Sequence, residues 1–176
     1  MSRAVSHALR HEPWVYELEL DEEGWVPVGQ LLAALNEKGR DWQEVDRDAL
    51  ERMLTNATKR RHELDGDRIR ALYGHSVPGG VHKLPSTPPA VLFRGTAPEA
   101  WPEIESSGLL PMARQFVHLS VDRAVALSVG RRKSEQPVII EVDAEAAASA
   151  GIAFYKGNDL VWLAGSIPSR FLELRG

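Results

Sequence analysis

A proline- and glycine-rich segment near the middle of the 176-residue sequence constrains the fold most strongly. Six such residues lie within positions 77–90: Pro78, Gly79, Gly80, Pro85, Pro88 and Pro89. Proline fixes φ and lacks a backbone N–H, and glycine weakens helices and strands, so regular structure should not continue through this run. We therefore predict two lobes, 1–80 and 90–176, joined by a linker at 81–89.

Helical spacing dominates the first lobe. Apolar residues recur at helical intervals in three segments, which predicts helices beginning near Ser2, Val28 and Asp46. Pro13 is expected to end the first helix, and Gly39 is a suitable residue for the end of the second.

A β-hairpin is predicted after the three helices. Two short strand-like runs flank Asp65 and Gly66, a pair that favours a tight turn between strands. Three helices followed by a hairpin are typical of a winged-helix lobe.

The second lobe alternates short strands with short helices. Strands are predicted at 90–93, 116–119, 138–142, 154–155, 160–163 and 171–174. Helices are predicted through Trp101, ending at Gly108, and after Asp122 as the capping residue. Several strands follow one another without a helix, which indicates an α+β lobe with a mixed, mostly antiparallel sheet rather than a doubly wound one.

Composition and charge exclude several classes of protein. Apolar residues make up 43% and charged residues 26%, so disorder of the whole chain is excluded. There is no cysteine, hence no disulfide, thiolate metal site or cysteine nucleophile. Neither a signal peptide nor a run of ~20 apolar residues is visible, so we expect a cytoplasmic protein. The net charge of −4 argues against non-specific coating of nucleic acid, which leaves a local basic pocket as the way to bind it.

Two groups of basic residues in the first lobe suit anion binding. Arg10 and His11 lie at the end of the first predicted helix, where they either contact a phosphate or favour the helix dipole. Arg68 and Arg70 share one face of a strand, where they either bind an anion or form salt bridges with Asp65 and Asp67.

A third group lies in the second lobe. Gly95 follows a strand and allows close approach of a ligand. Arg114 and His118 are four positions apart and can face the same cleft, and the basic run 131–133 adds charge after a helix. Each residue alone is equally compatible with a loop or an exposed cation.

Other familiar chemistries lack their motifs. The sequence has no glycine-rich dinucleotide fingerprint, no ATPase-type phosphate loop, no His-Glu-x-x-His pair and no Gly-x-Ser-x-Gly turn. The candidate groups are cationic, so we expect an anionic substrate and no metal.

Six pieces of the sequence, in order, resemble the RNA 2′-phosphotransferases of the KptA type. They are 6–13 (Ser-His-Ala-Leu-Arg-His-Glu-Pro), 20–26 (Leu-Asp-Glu-Glu-Gly-Trp-Val), 68–71 with 74–76 (Arg-Ile-Arg-Ala and Gly-His-Ser), 108–109 with 112–120 (Gly-Leu and Met-Ala-Arg-Gln-Phe-Val-His-Leu-Ser), 154–155 (Phe-Tyr) and 161–163 (Val-Trp-Leu). The resemblance runs almost end to end, and the order of the pieces makes it specific.

The resemblance implies a fold and a reaction. The fold is an N-terminal winged-helix lobe that binds RNA and a C-terminal ADP-ribosyltransferase-like lobe with a split sheet that binds NAD. The reaction moves an internal RNA 2′-phosphate to ADP-ribose by way of an RNA-2′-phospho-ADP-ribose intermediate, without a metal. It leaves 2′-hydroxyl RNA, nicotinamide and ADP-ribose 1″,2″-cyclic phosphate, and tRNA splicing is the family's eukaryotic context.

The same resemblance implies roles for individual residues. The implied catalytic residues are Arg10, His11, Arg70 and Arg114. The implied NAD-binding residues are Arg94, Gly95, Thr96, His118, Leu119, Ser120 and Gly130. The implied RNA phosphate-binding residues are Arg10, His11, Arg70, His75 and Ser76.

The sequence departs from the family pattern in three places. Arg94 replaces a usual histidine, Leu72 and Tyr73 replace Asn-Gln, and 131–134 replaces an Arg-His-Gly-type turn. Two alternatives therefore stay open: NAD-dependent ADP-ribosylation of phosphorylated nucleic-acid ends, and a non-catalytic winged-helix binder. In each case we expect a monomer.

Overall fold

The computed structural model describes residues 1–38 and 45–175, and Gly39, predicted to end the second helix, lies outside them. The chain divides into two compact units, Met1–Lys83 and Leu84–Gly176. Both ends of the segment 81–89 hydrogen-bond within their own units, His82 N to Glu22 O at 2.7 Å and Ser86 N to Phe154 O at 2.8 Å. Helices and antiparallel sheets in the described residues confirm the α+β class.

The first unit combines three helices with a small sheet. Its elements are α1 (Ser2–Arg10), a 3-10 turn (Pro13–Tyr16), β1 (Trp25–Pro27), α2 (Val28–Lys38), α3 (Arg47–Thr55), β2 (His62–Asp65) and β3 (Arg68–Ala71). The strand order is β1-β3-β2, and every pair is antiparallel. The predicted hairpin is present, with Asp65 opposite Arg68. The strand β1 was not predicted, because three residues are too few to show an alternating pattern.

Local sequence accounts for the start of α3. The carboxylate of Asp46 accepts from Ala49 N at 2.7 Å and so caps α3. The helices bury Leu9, Leu31, Leu35 and Leu50 in one core, against Ile69 of the central strand β3. This core holds β3, and hence Arg68 and Arg70, in a fixed register.

The second unit is built on a six-stranded sheet. Its elements are β4 (Val91–Thr96), a 3-10 turn (Pro98–Ala100), α4 (Trp101–Ser107), β5 (Val117–Ser120), α5 (Arg123–Gly130), β6 (Val138–Asp143), α6 (Ala144–Ser149), β7 (Phe154–Lys156), β8 (Val161–Ala164), a 3-10 turn (Ser169–Phe171) and β9 (Leu172–Arg175). The helix α6 was not predicted; its alanine-rich sequence favours a helix, and Asp143 caps it by accepting from Ala146 N.

The sheet order is β7-β8-β5-β4-β6-β9. The expected mixture of strand directions is corrected, because every pair between the described strands is antiparallel. The strands β4 and β5 are joined by a single register pair, Phe93 opposite Ser120, whereas the other neighbours share three to six. The end of β4 is therefore less tightly paired with β5 than with β6.

Glycine allows α5 to pack directly on β4. A Cβ added to Gly95 would lie 1.9 Å from the backbone oxygen of Ala126 and 3.0 Å from Gly130 N. Only a residue without a side chain fits this close approach. The C-terminal end of α5 consequently lies beside Gly95, next to Arg94.

No helix among the described residues is long and apolar enough to cross a membrane.

Candidate functional site

Three predicted residues of the first unit lie together at the end of α1. The ring nitrogen Nδ1 of His11 hydrogen-bonds to Ser76 Oγ at 2.8 Å. The backbone N–H of Ser76 donates to Arg10 O, also at 2.8 Å. The fold thus brings together two motifs that are 65 residues apart in the sequence.

Arg10 is held from two sides. Its Nη2 donates to the backbone oxygen of Arg61 at 3.2 Å, and its guanidinium lies over the ring of Tyr73, 5.3 Å from the centroid. A guanidinium over an aromatic face is attracted by the ring's quadrupole. Tyr73, one of the departures from the family pattern, therefore helps to orient a predicted catalytic residue.

His75 is buried, with 2% of its surface exposed. It lies near Gly24, where an added Cβ would be 3.6 Å from His75 Nε2. Gly24 has φ +84°, a conformation that favours glycine and so fixes the turn against which His75 packs. Its contact with phosphate stays a prediction.

Arg70 has partners that sequence reasoning did not identify. Its Nη2 and Nε lie 2.7 and 2.8 Å from Glu63 Oε2, and Nη1 lies 3.6 Å from Glu23. Its guanidinium also lies 4.4 Å from the ring centre of Trp25. The antiparallel register explains this, because Glu63 and Trp25 are the cross-strand neighbours of Arg70. An anion that approaches Arg70 has to compete with Glu63.

Arg68 lies on the same face but has weaker contacts. Its Nη1 is 3.7 Å from Asp21 Oδ2, and its guanidinium is 5.1 Å from the ring centre of Trp25. The salt-bridge partners expected for this arginine pair, Asp65 and Asp67, are thus corrected to Asp21, Glu23 and Glu63. Asp67 instead pairs with Arg47.

Sequence reasoning also missed Lys83, which lies in the predicted linker. Burial, followed by the charge of Arg70, lowers the pKa of Lys83 to about 8, and the charge of Glu63 partly opposes this change. Lys83 therefore belongs to the same electrostatic group as Arg70. The only signal in the sequence was a single basic residue inside a proline-rich segment.

In the second unit, His118 connects two arginines. Arg94 Nη1 donates to the backbone oxygen of His118 at 2.8 Å, and Arg114 Nη1 donates to its ring Nδ1 at 3.3 Å. Arg94 lies on β4, and Arg114 lies in the turn before β5, where its N–H donates to Pro111 O. The predicted closeness of Arg114 and His118 is present.

The remaining predicted NAD-binding residues lie on β4, on β5 and at the end of α5. Thr96, Leu119 and Ser120 are buried, and Gly95 and Gly130 pack against one another where α5 meets β4. Burial, followed by the charge of Arg114, lowers the pKa of Arg94, although arginine keeps its proton in proteins. These surroundings strengthen the attraction for an anion, because a desolvated charge is less screened.

A metal-binding cluster is not part of this arrangement. Among the described residues, no group of three or more His, Asp or Glu side chains lies close enough to hold a metal ion. The chemistry available here is anion binding by guanidinium, ammonium and imidazole groups.

Comparison with known proteins confirms the family resemblance of the sequence motifs. The family model described as RNA 2′-phosphotransferase, Tpt1/KptA family, matches residues 1–166. A probable RNA 2′-phosphotransferase of Bacillus thuringiensis subsp. konkukian is 49% identical over 174 residues, which cover 99% of this chain and 94% of that protein. A protein of the same description from Acetivibrio thermocellus is 48% identical over 98% of this chain and 94% of its own length. A third protein of this description, from Pseudomonas aeruginosa, is 41% identical over 98% of this chain and 94% of its own length. The chain therefore belongs to the RNA 2′-phosphotransferase family of the Tpt1/KptA type.

Proposed function

We propose that this protein removes an internal 2′-phosphate from RNA and transfers it to ADP-ribose supplied by NAD. Family membership supports the transfer of an RNA 2′-phosphate. The observation that carries the assignment of residues is the 2.8 Å contact between His11 and Ser76, which unites two family motifs beside Arg10. We assign RNA binding to a winged-helix lobe in the first unit and NAD binding to an ADP-ribosyltransferase-like lobe in the second. The protein acts in the cytoplasm as a monomer.

The first step needs placement more than proton transfer. An oxygen of the RNA 2′-phosphate attacks C1″ of the nicotinamide ribose, the C1″–N bond breaks, and nicotinamide leaves with its electron pair. The nucleophile is already an anion, so no strong base is required. Arg10 and Arg70 hold the phosphate, because guanidinium groups match its geometry and charge.

The second step releases the RNA. The 2″-hydroxyl of the ADP-ribose attacks phosphorus, and the bond from phosphorus to the RNA 2′-oxygen breaks. In this step, the attacking 2″-hydroxyl loses a proton and the departing RNA 2′-oxygen gains one. His11, held by Ser76, orients the phosphate or supplies that proton, and Arg114 stabilises the phosphate charge that builds up.

The NAD-binding role falls to residues around the end of β4. Arg94 and His118 offer donors, while Gly95, Thr96, Leu119, Ser120 and Gly130 shape the strand and helix ends beside them. When bound, NAD supplies the ribose carbon that accepts the phosphate. Arg94, held on the His118 backbone, provides charge for the dinucleotide phosphates where the family usually has histidine.

Nicotinamide release tests this proposal. Purified protein is mixed with NAD and either a short RNA that carries one internal 2′-phosphate or the same RNA with a 2′-hydroxyl, in the presence of a chelator. We expect stoichiometric nicotinamide from the phosphorylated RNA alone. Equal release with both RNAs would contradict phosphate attack on NAD. Accumulation of an RNA-ADP-ribose adduct would favour the alternative of nucleic-acid ADP-ribosylation, and no release at all would favour a non-catalytic binder.

A further inference from the structure

Lys133 lies close to two arginines of the proposed site but has no role in the proposed reaction. It lies in the turn after α5, where its N–H donates to Gly130 O at 2.8 Å. Gly130 packs against Gly95, which follows Arg94 on β4. Arg94 and Arg114 both contact His118. The fold therefore places one lysine and two arginines around the end of β4.

In the part of the chain that the structure describes, no carboxylate pairs with these three cations. Within residues 1–38 and 45–175, neither Arg94, Arg114 nor Lys133 forms an ion pair with Asp or Glu. Partial burial lowers the pKa of Lys133, and the charges of Arg94 and Arg114 lower it further. The three groups are thus near enough to repel one another, which is unfavourable unless an anion joins them.

One donor in this cluster is buried without an acceptor. The Nε of Arg94 has no hydrogen-bond partner among the described residues, and it is shielded from solvent. A buried N–H without an acceptor is rare, because it loses its hydration and gains nothing in return. A ligand oxygen would satisfy it. The cluster therefore has both excess charge and a donor that a ligand can use.

We infer that Arg94, Arg114 and Lys133 form a phosphate subsite in which Lys133 is a further ligand-binding residue. A phosphate group carries negative charge and several acceptor oxygens, which suits two guanidinium groups and an ammonium better than a neutral ligand does. The inference deepens the proposed function, since that function supplies two sources of the phosphate: the pyrophosphate of NAD and the 2′-phosphate of RNA.

Calorimetric binding to the whole protein tests the inference. The ligands are ADP-ribose, an RNA oligonucleotide with one internal 2′-phosphate, inorganic pyrophosphate, and adenosine as the phosphate-free control. The variants are Lys133→Gln, which removes the charge, Lys133→Arg, which keeps it, and Arg132→Gln, a matched control in the same exposed turn. Neither position is buried, so these variants should fold.

We expect Lys133→Gln to weaken binding of pyrophosphate and of at least one natural phosphate ligand about tenfold, the effect of losing one charge-assisted contact. Adenosine binding should not change, Lys133→Arg should bind nearly as wild type, and so should Arg132→Gln. A loss confined to ADP-ribose would assign the subsite to the dinucleotide, and a loss confined to the oligonucleotide would assign it to RNA; either supports a phosphate subsite.

Several results would overturn the inference. These are unchanged phosphate binding in Lys133→Gln, an equal loss in Arg132→Gln, an equal loss for adenosine, or a wild-type protein that binds none of the phosphate ligands. Nicotinamide release by the wild type separates the two proposals. If it is normal while Lys133→Gln binds as wild type, only the subsite fails. If it is absent while pyrophosphate binding still depends on Lys133, only the proposed function fails.

Discussion

Arg70 and Arg68 are two positions apart on one strand and contact the same tryptophan, yet their surroundings differ. Arg70 is fixed by Glu63 at 2.7 Å, whereas the contact of Arg68 with Asp21 is longer, at 3.7 Å. Arg70 lies at the family's motif position, and Lys83 adds a second positive charge near it. A positioned guanidinium of this kind can bind phosphate without a large loss of side-chain entropy.

Replacement of these two arginines tests their roles. Arg70→Ala should lower kcat/KM for phosphorylated RNA. The corresponding loss of transition-state stabilisation should be about 1.5–3 kcal/mol, the range for a hydrogen bond to a charged group. Arg68→Ala should leave kcat/KM within about threefold, because exposed ion pairs contribute little. Steady-state kinetics measure both effects, with thermal unfolding as the check on folding. Equal losses in the two variants would contradict a distinct role for Arg70.

His62 gives stability a pH dependence. It is buried, hydrogen-bonded to Ser6 Oγ at 3.2 Å, and its pKa is lowered to about 4 by burial and by the charges of Arg10 and Arg61. Its ordinary pKa is 6.5, so between these values the unfolded chain binds a proton that the folded chain does not. The contribution of His62 to stability is complete above pH 6.5 and is lost as the pH falls toward 4.

We expect the free energy of unfolding to fall by up to ~1.4 kcal/mol per pH unit below pH 6.5 because of this residue. Urea unfolding at pH 7, 6 and 5 measures the slope, and His62→Gln serves as the comparison because it lacks a titrating ring. The same slope in wild type and His62→Gln would show that His62 is not the cause.

At the scale of elements, the packing of α5 on β4 brings the turn that holds Lys133 close to the strand that holds Arg94. Gly95 makes the contact possible, and it also determines where the turn after Gly130 lies. The hairpin β2–β3 positions charged residues in the first unit, because its register places Glu63 beside Arg70.

Gly95→Ala tests the first of these contacts. The new Cβ would meet backbone atoms of α5, which cannot rotate away, so we expect a loss of about 1–3 kcal/mol or more in unfolding free energy. Gly165→Ala is the matched control, since nothing lies within 4 Å of its Cβ position. Urea unfolding measures the unfolding free energy of both variants. A Gly95→Ala protein as stable as Gly165→Ala would contradict the close packing of α5 on Gly95.

Elements with strong local signals could be predicted from the sequence. The turn residues Asp65 and Gly66 predicted the hairpin, and Asp122 predicted the start of α5, whose first turn it caps through Val125 N at 2.7 Å. Contacts between distant segments could not be predicted from local patterns. The pairing of Arg70 with Glu63 depends on strand register, and the contact of Arg70 with Trp25 depends on β1, a strand of only three residues.

In the candidate site too, the residues of the motifs could be predicted from the sequence, but the contacts between them could not. Motif resemblance identified His11 and Ser76, but their contact depends on tertiary structure. Lys83 and Lys133 both lie outside the helices and strands, where a single lysine carries no periodic signal. The structure was needed to find the arginines near them, which are Arg70 for Lys83 and Arg94 and Arg114 for Lys133.

For the whole molecule, net charge limits how RNA is bound. The net charge of −4 opposes broad contact with an RNA backbone, and the arginines that the proposed reaction assigns to RNA phosphate are Arg10, Arg70 and Arg114. We therefore expect the logarithm of RNA affinity to fall with the logarithm of salt concentration with a slope no steeper than about −2, the limit if each of the three arginines neutralises one phosphate charge of a single strand. Fluorescence anisotropy over a salt series measures it. A slope steeper than about −5 would indicate a wide basic surface instead.

The fate of the phosphorus atom tests the central claim most directly. RNA with one radiolabelled internal 2′-phosphate is incubated with NAD and the wild-type protein, and the products are separated over time. The account predicts that the label first enters an RNA-ADP-ribose adduct and then leaves as ADP-ribose 1″,2″-cyclic phosphate. In His11→Ala and Arg114→Ala the adduct should accumulate. Label released as inorganic phosphate, or retained on RNA while NAD is consumed, would contradict the account.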